Sequence, residues 1–153
     1  MAGWTNRGKY VFFQQALQAA ASPTLFYVAL CTSASVPGAS KNLLSDMVEC
    51  TASNGYTAGG ASVARNSTAS GWDVITEDDS ASNAYAQIVD VVWTAAGGNL
   101  PSPSAARYAV LLDSASAAAS RQILAYWDLA SDRQVSTGQT LTLQNLQLNI
   151  NEV

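Results

Sequence analysis

The acidic residues are where chemistry would be sought first, because carboxylates serve as general acids, general bases and metal ligands. Glu77, Asp78 and Asp79 form the only acidic cluster in the sequence. Hard divalent cations bind clustered oxygen atoms, but the spacing of these three residues does not match a calcium-binding EF-hand loop. We therefore interpret the cluster as a solvated turn rather than as a metal site.

The sequence lacks histidine, the side chain that most often acts as the base in nucleophilic catalysis. Neither a Ser-His-Asp triad nor a Cys-His pair can therefore form. No glycine-rich loop is followed by Lys-Ser or Lys-Thr, so the usual phosphate-binding loop is absent from the sequence. Asp128, Asp132 and Glu77 are formal candidates for a hydrolase, but no spacing marks two of them as an acid–base pair. The sequence predicts a protein that is not an enzyme and that holds no metal or other cofactor.

Two cysteines, Cys31 and Cys50, complete the inventory of reactive side chains. An even number permits a disulfide, whereas nothing else in the composition is typical of a disulfide-dependent domain. We favour reduced, buried thiols, since free cysteine is among the most buried residue types.

The charge balance excludes two classes of partner. Seven Lys and Arg residues stand against eleven Asp and Glu, and no basic run occurs. Binding to nucleic acid or to anionic lipid is therefore not expected.

The strongest apolar run, Leu25 to Cys31, is too short to cross a bilayer. The first residues lack the order of a signal peptide, so we expect synthesis and use in a cytosol. The low charge has two interpretations, namely a surface covered by partners or a neutral, Ala/Ser-rich loop surface.

The 153 residues fit one domain, organised as an arm over residues 1–8, a helix over 9–21 and a β-rich part over 24–150. The helix is predicted from Tyr10, Phe13 and Leu17, which recur at helical spacing until Pro23 ends the pattern. Alternating or continuous apolar runs predict strands at 25–31, 62–66, 72–76, 84–94, 107–113, 121–128 and 140–150. Many short strands without β-α-β alternation predict a mainly β fold, an antiparallel β-sandwich or jelly-roll-like domain with an N-terminal α-helix.

The last strand has a change of parity. Leu141 and Leu143 are odd-numbered, whereas the apolar residues at 146, 148 and 150 are even-numbered. Because strand side chains alternate between faces, one regular strand would turn one of these sets to solvent. The pattern predicts a bulge or break at Gln144-Asn145.

The sequence also offers aromatic residues for a contact surface. Trp93 and Trp127 have aliphatic neighbours on predicted strands, and we expect them in the core. Trp72 and Tyr56 are candidates for solvent-facing aromatics. Trp4 lies in the N-terminal arm and is expected to anchor that arm, either on a neighbouring subunit or on its own domain.

A series of segments resembles a known group of proteins. The segments, in chain order, are Phe26-Tyr-Val-Ala-Leu-Cys-Thr-Ser33, Leu44-Ser-Asp-Met-Val-Glu49, Gly55-Tyr56, Gly59-Gly60, Arg65, Val92-Trp93-Thr-Ala, Tyr108-Ala-Val-Leu-Leu-Asp113, Ile123-Leu-Ala-Tyr-Trp-Asp128 and Gly138-Gln-Thr-Leu-Thr-Leu143. In this order they resemble small virion structural proteins of tailed phages, among them capsid decoration, or cement, proteins. The resemblance covers most of residues 8–150, does not extend to the Ala/Ser-rich insert at 114–120, and includes no catalytic signature.

The resemblance implies a protein on the outside of a capsid shell, made in the host cytoplasm. Its expected partners are the major capsid protein and neighbouring virion proteins, and decoration proteins of this kind often act as trimers. Candidate contacts are Trp4, Asn6 and Arg7 in the arm, together with the loops at Pro37 and Gly98, because arms and loops reach neighbours without disturbing a core.

Two other functions stay open at the level of sequence. One is a tail, neck or fibre-adaptor protein of the same virion, which differs from decoration in its copy number. The other is a carbohydrate-binding β-sandwich module, which requires solvent-facing aromatics such as Trp72 and Tyr56 aligned on one face.

Overall fold

The fold is mainly β, with antiparallel pairing throughout the described strands. The computed structural model describes residues 2–5, 7–8, 23, 25–65, 70–78, 83–115 and 117–151. These residues form the strands β1 (Ala2–Trp4), β2 (Leu25–Cys31), β3 (Ala61–Ala64), β4 (Trp72–Asp78), β5 (Asn83–Ile88), β6 (Val91–Thr94), β7 (Ala106–Leu112), β8 (Ile123–Arg133), β9 (Thr140–Leu143) and β10 (Leu146–Asn151). Two short 3-10 turns lie at Leu44–Asp46 and Ala118–Ser120. The helix predicted over 9–21 lies outside the described residues.

The strands pair into three sheets. The largest has five strands in the order β1-β8-β7-β2-β3. A second has three strands in the order β10-β5-β4, and β6 pairs with β9 alone. The predicted strand at 25–31 is confirmed with the same bounds, and its interior position in the large sheet, between β7 and β3, explains its continuous apolar run.

The five-stranded sheet is buried on both faces. Successive residues of β2 and β7 contribute to two separate apolar clusters, as alternation requires. Leu30 and Leu111 lie in the larger cluster, which also draws residues from the other two sheets, whereas Val110 and Leu112 lie in the smaller one. The pairing with β8 has a bulge opposite Leu111 and Leu112. The bulge lets β8 shift its alternation and keep apolar side chains on both faces.

Four of the other five strands form a bent two-stranded ribbon, which we define as β5 and β6 paired with β10 and β9. Ile88 pairs with Leu146 on one side of the bend, and Val91 pairs with Leu143 on the other, so the register is unchanged across it. The predicted break at Gln144-Asn145 is confirmed, and Asn145 has a φ of 55°. The Gln144 amide donates a hydrogen bond to Asp90 across the bend, with Nε2 and Oδ2 3.0 Å apart.

The prediction of one continuous strand over 84–94 is wrong. The chain breaks at Val89-Asp90, directly opposite the break in the partner strand. Ile88 and Val91 have opposite parity in the sequence, yet both are buried. The bend rotates the ribbon so that both halves face the same core, which a flat strand cannot do.

One smaller prediction also needs correction. Glu77 and Asp78 were expected in a turn, but they extend β4, where they pair with Ala84 and Asn83.

The segment 42–49 contains a short helical turn in which Leu44 and Met47 are buried. The adjacent Leu43 and Val48 are more exposed, at 37% and 48%.

Candidate functional site

Residues 2–5 of the N-terminal arm lie on their own domain. The strand of the arm, Ala2–Trp4, pairs with β8 at the edge of the five-stranded sheet. Thr5 is fully buried, and its N–H donates to the carbonyl oxygen of Leu124 at 3.2 Å. The Thr5 hydroxyl donates to the Ile123 carbonyl and accepts a hydrogen bond from the N–H of Gly8 at 2.9 Å. This stretch of backbone is therefore anchored on its own domain, which is one of the two sites expected from the sequence.

The candidate contact residues of the arm have different environments. The backbone of Trp4 lies opposite Ala125, and its side chain is not among the described parts of the structure. Asn6 lies outside the described residues. Arg7 is half-buried and already has an interaction partner. Contacts from these three residues to another protein stay a prediction.

The two loop candidates are packed rather than projecting. Pro37 is buried, and Gly98 is half-buried. A Cβ atom at Gly98 would lie 2.5 Å from the Asn54 side-chain nitrogen. The same nitrogen donates to the carbonyl of Asn99 at 2.8 Å, so the Gly98 loop is held from the Asn54 turn. Pro37 and Gly98 therefore do not project into solvent. A partner could contact them only by approaching the surface of each loop closely.

A polar network joins three segments at the end of β2. The Tyr56 hydroxyl accepts a hydrogen bond from the N–H of Leu30 at 3.0 Å and donates one to Glu49 Oε1 at 2.7 Å. The same carboxylate oxygen accepts from the N–H of Gly59 at 2.6 Å. Burial raises the pKa of Tyr56 well above its usual range, and the negative charge of Glu49 adds to the shift. Tyr56 therefore stays protonated and acts as a structural hydrogen-bond donor.

The cysteines are free and buried, as favoured from the sequence. They belong to the two different core clusters, Cys50 to the larger and Cys31 to the smaller. Burial raises the pKa of Cys50 to about 12, with a further contribution from Glu49, and burial also raises the pKa of Cys31. Because the thiolate is the reactive form, both thiols are poor nucleophiles at neutral pH.

The hydrolase candidate Asp128 is tied into an ion pair. Its Oδ1 lies 3.0 Å from Arg107 Nη2 and also accepts from the N–H of Ala130 at 2.8 Å. Arg107 in turn donates to the Ala130 carbonyl at 2.9 Å. The hydrogen bond from Arg107 holds the pKa of Asp128 below its usual range. An ionised carboxylate in this setting stabilises a bulge of β8, where Ala130 has a φ of 64°.

Arg121 is a central residue that the sequence did not single out. It is only 9% exposed, and its guanidinium carbon lies 3.4 Å from the ring centroid of Tyr27. Its Nη1 donates to the carbonyl of Gly59 at 2.8 Å, and its Nε donates to that of Ala115 at 3.2 Å. Arg121 thereby joins two loops to the smaller core cluster. An isolated arginine at the start of a strand has no sequence signal that separates this role from a solvated surface position.

The aromatic residues divide between core and surface. Trp93 and Trp127 are each 6% exposed, which confirms their predicted place in the core. Tyr56 is 3% exposed, so its predicted role as a solvent-facing aromatic is wrong. Trp72 is half-buried and packs edge-on against Phe26 with 5.6 Å between ring centroids. The two aromatics proposed for a sugar-binding platform therefore do not form one.

Two exposed isoleucines lie on β4 and β10 of the three-stranded sheet. Ile75 is 78% exposed and Ile150 is 51% exposed. No Lys or Arg occurs in β4, β5 or β10, whereas β4 alone contains Asp73, Glu77 and Asp78. We call this three-stranded sheet the acidic sheet.

Comparisons with known proteins identify no relative, since no family model, no curated protein and no solved structure matches the chain. Within the described ranges, no three His, Cys, Asp or Glu side chains are grouped closely enough to hold a metal ion. No helix in this part of the chain has the length and apolar character needed to span a membrane.

Proposed function

We propose that this protein is a non-enzymatic structural component of a tailed-phage virion, and specifically a capsid decoration protein on the outside of the shell. The observation that most supports a structural role is how the carboxylates are used. Glu49, Asp113 and Asp128 all accept hydrogen bonds that hold loops or bulges in place. Asp46 does the same, because its Oδ2 accepts the N–H groups of Asn42 and Leu43. Acidic side chains engaged in this way stabilise the fold instead of facing a substrate.

The resemblance in the sequence supplies the virion context, and the fold is compatible with it. We propose that the strands form a sandwich-like domain, in which the acidic sheet and the β6–β9 pair cover one face of the five-stranded sheet. Two observations support this arrangement. The larger core cluster contains Ile88, Leu141 and Leu111, one from each sheet. The indole N–H of Trp127 in β8 donates to the carbonyl of Gln147 in β10 at 2.8 Å.

The proposed mechanism is mechanical. A decoration protein that binds only the assembled shell stabilises it by mass action, because rupture must also break the added contacts. Each copy bridges neighbouring major-capsid subunits, and symmetry repeats a modest contact many times. A trimer places several such contacts on one rigid body. A domain with loops fixed by buried hydrogen bonds suits this role, since little ordering entropy is lost when it binds.

The test is stoichiometry in purified virions of the phage that encodes this chain. The copy number is measured against the major capsid protein by quantitative mass spectrometry with labelled standards. A near-equimolar ratio, or a fixed large fraction of one, supports decoration of the shell. A few copies per particle would overturn decoration and assign the protein to the tail, neck or fibre attachment. Absence from purified virions would overturn a structural role altogether.

A further inference from the structure

The acidic sheet has an apolar surface that its own core does not cover. Ile75, Ala86 and Leu148 are direct partners across its three strands, so their side chains lie on the same face. Leu148 is 8% exposed and belongs to the larger core cluster, whereas Ile75 is 78% exposed. The core-facing side of the sheet therefore extends beyond the core at the β4 edge.

The next row of the sheet continues this surface. Ala84 pairs with Ile150, and both residues are exposed. Ala84 lies between the two isoleucines, opposite Ile150 and diagonal to Ile75, so the three residues form one aliphatic patch at the end of the sheet. Adjoining exposed apolar side chains on one sheet face are typical of an interaction site, whereas isolated exposed aliphatics need no explanation.

The charges around the patch define the partner. Along β4, Ile75 lies between Asp73, which is exposed, and Glu77, and all seven Lys and Arg residues of the sequence lie outside the strands of the acidic sheet and the ribbon. The negative charge therefore has no basic side chain on the same sheet to balance it. A symmetric contact between two copies centred on Ile75 would bring like charges together, which is unfavourable.

We propose that the aliphatic patch docks on the capsid shell, at a surface where aliphatic side chains are flanked by Lys or Arg. This inference rests on the proposed function and specifies which face of the protein the shell contacts. The apolar centre supplies burial, and the acidic flank supplies the electrostatic attraction that selects the partner and accelerates encounter.

The decisive variant is Ile75→Asp, and Val36→Asp is its matched control. Val36 is 65% exposed in the loop after β2, so both variants place one carboxylate at an exposed aliphatic position. Binding of each purified full-length protein to empty expanded shells assembled without it is measured by co-sedimentation. We expect Ile75→Asp to weaken binding by about tenfold or more, the effect of losing one buried contact of 1.4 kcal/mol. Val36→Asp should bind like the wild type.

The acidic flank is tested with a second pair of variants. Asp73→Asn removes an exposed carboxylate from the acidic sheet, and Asp132→Asn removes an exposed one from β8. Raising the ionic strength from about 0.05 to about 0.3 M should weaken wild-type binding, because salt screens exposed charges. Asp73→Asn should reduce that salt dependence, and Asp132→Asn should leave it unchanged.

The outcomes separate this inference from the function on which it rests. If wild-type protein does not bind shells, decoration fails, and the docking assignment fails with it. If the wild type binds and Ile75→Asp binds equally well, decoration stands and the docking face is wrong. If Ile75→Asp instead disrupts self-association in analytical ultracentrifugation while shell binding persists, the patch is a contact between copies, and the assignment to the shell is overturned. Unfolding midpoints measured for every variant exclude misfolding as the cause.

Discussion

The five-stranded sheet and the acidic sheet contribute to one core but differ in how many of their apolar side chains are buried. The five-stranded sheet has apolar clusters on both faces, and Leu30, Leu111 and Leu112 are at most 1% exposed. The acidic sheet is buried near Ile88 and increasingly exposed toward Ile75. A strand buried on two faces resists substitution, whereas a strand that extends past the core tolerates it. The comparison separates the residues that hold the fold from those available to a partner.

The polar side chains follow the same division. Buried or half-buried polar groups, such as Glu49 and Arg121, join loops to the five-stranded sheet through short hydrogen bonds. In the acidic sheet, the hydrogen bond between Gln147 and Gln87 connects two half-buried neutral side chains at 2.8 Å. The charged groups that hold loops in place therefore lie next to the five-stranded sheet, whereas Asp73 on the acidic sheet is exposed.

The largest expected effect comes from removing core volume. Leu111→Ala should lower the free energy of unfolding by about 3 kcal/mol, because it leaves a cavity in the larger core cluster. Ile75→Ala, at the exposed end of the acidic sheet, should change it by no more than about 0.5 kcal/mol. Urea denaturation followed by tryptophan fluorescence measures both. Equal destabilisation by the two substitutions would contradict the contrast between the sheets.

The next effect concerns the polar network at the end of β2. Tyr56→Phe keeps the ring but removes the hydroxyl that bonds both Glu49 and the N–H of Leu30. We expect a loss of about 1 to 3 kcal/mol, since a backbone donor and a carboxylate lose a partner in a partly buried site. Glu49→Gln keeps an acceptor oxygen and should cost less. Thermal unfolding measures both variants. If the hydroxyl makes no contribution, Glu49→Gln will lower the unfolding temperature more than Tyr56→Phe does.

A smaller effect, of opposite sign, is expected at two of the residues with positive φ, Ala130 and Asn145. Ala130→Gly in β8 should stabilise the fold by up to about 1 kcal/mol, because glycine removes the steric cost of positive φ. Asn145→Gly in the ribbon should gain less, since asparagine tolerates this conformation better than alanine does. Chemical denaturation of both variants gives the comparison, and a destabilised Ala130→Gly protein would show that the alanine side chain is needed for packing.

The smallest effect is the pH dependence of the Arg107–Asp128 pair. Because the pKa of Asp128 is lowered in the fold, its contribution is present above the unfolded carboxyl pKa and is lost as pH falls through the folded value. Asp128→Asn should flatten the fall in unfolding temperature at acid pH. Arg107→Gln removes the largest cause of the lowered pKa but leaves the hydrogen bond from the Ala130 N–H, so it should flatten the fall less than Asp128→Asn does. Acid profiles that match the wild type in both variants would exclude the pair as a contributor.

The ribbon shows how far the sequence predicts the fold. The break at Gln144-Asn145 follows from the parity of four leucines, because those residues must all reach the core. The break at Val89-Asp90 has a weaker signal, since Tyr85, Val89 and Val91 continue an alternation that suits one strand. The partner strand decides it, because a bend in one strand of a pair imposes a bend on the other. The local sequence pattern does not reveal which distant strand pairs with this one, so it could not predict the break at Val89-Asp90.

The candidate site was less predictable than the fold. Pro37 and Gly98 were chosen as loop residues, but a loop position does not reveal whether the chain folds back over it. Tyr56 lies beside a glycine turn and has no periodic neighbours, so its burial depends on Glu49 and Leu30 from other segments. The exposed end of β4 was also missed, because an isoleucine in an alternating strand predicts burial. These features depend on tertiary contacts rather than on local spacing.

The unchanged register across the ribbon bend also limits how this sequence can vary in length. Deleting one residue at Asn145 would shift Leu146 and Leu148 by one position against β5 and turn them away from the core. Such a deletion can be accommodated only with a matching deletion at Val89-Asp90, more than fifty residues earlier. Diverged relatives should therefore keep both two-residue corners at constant length, or change them together.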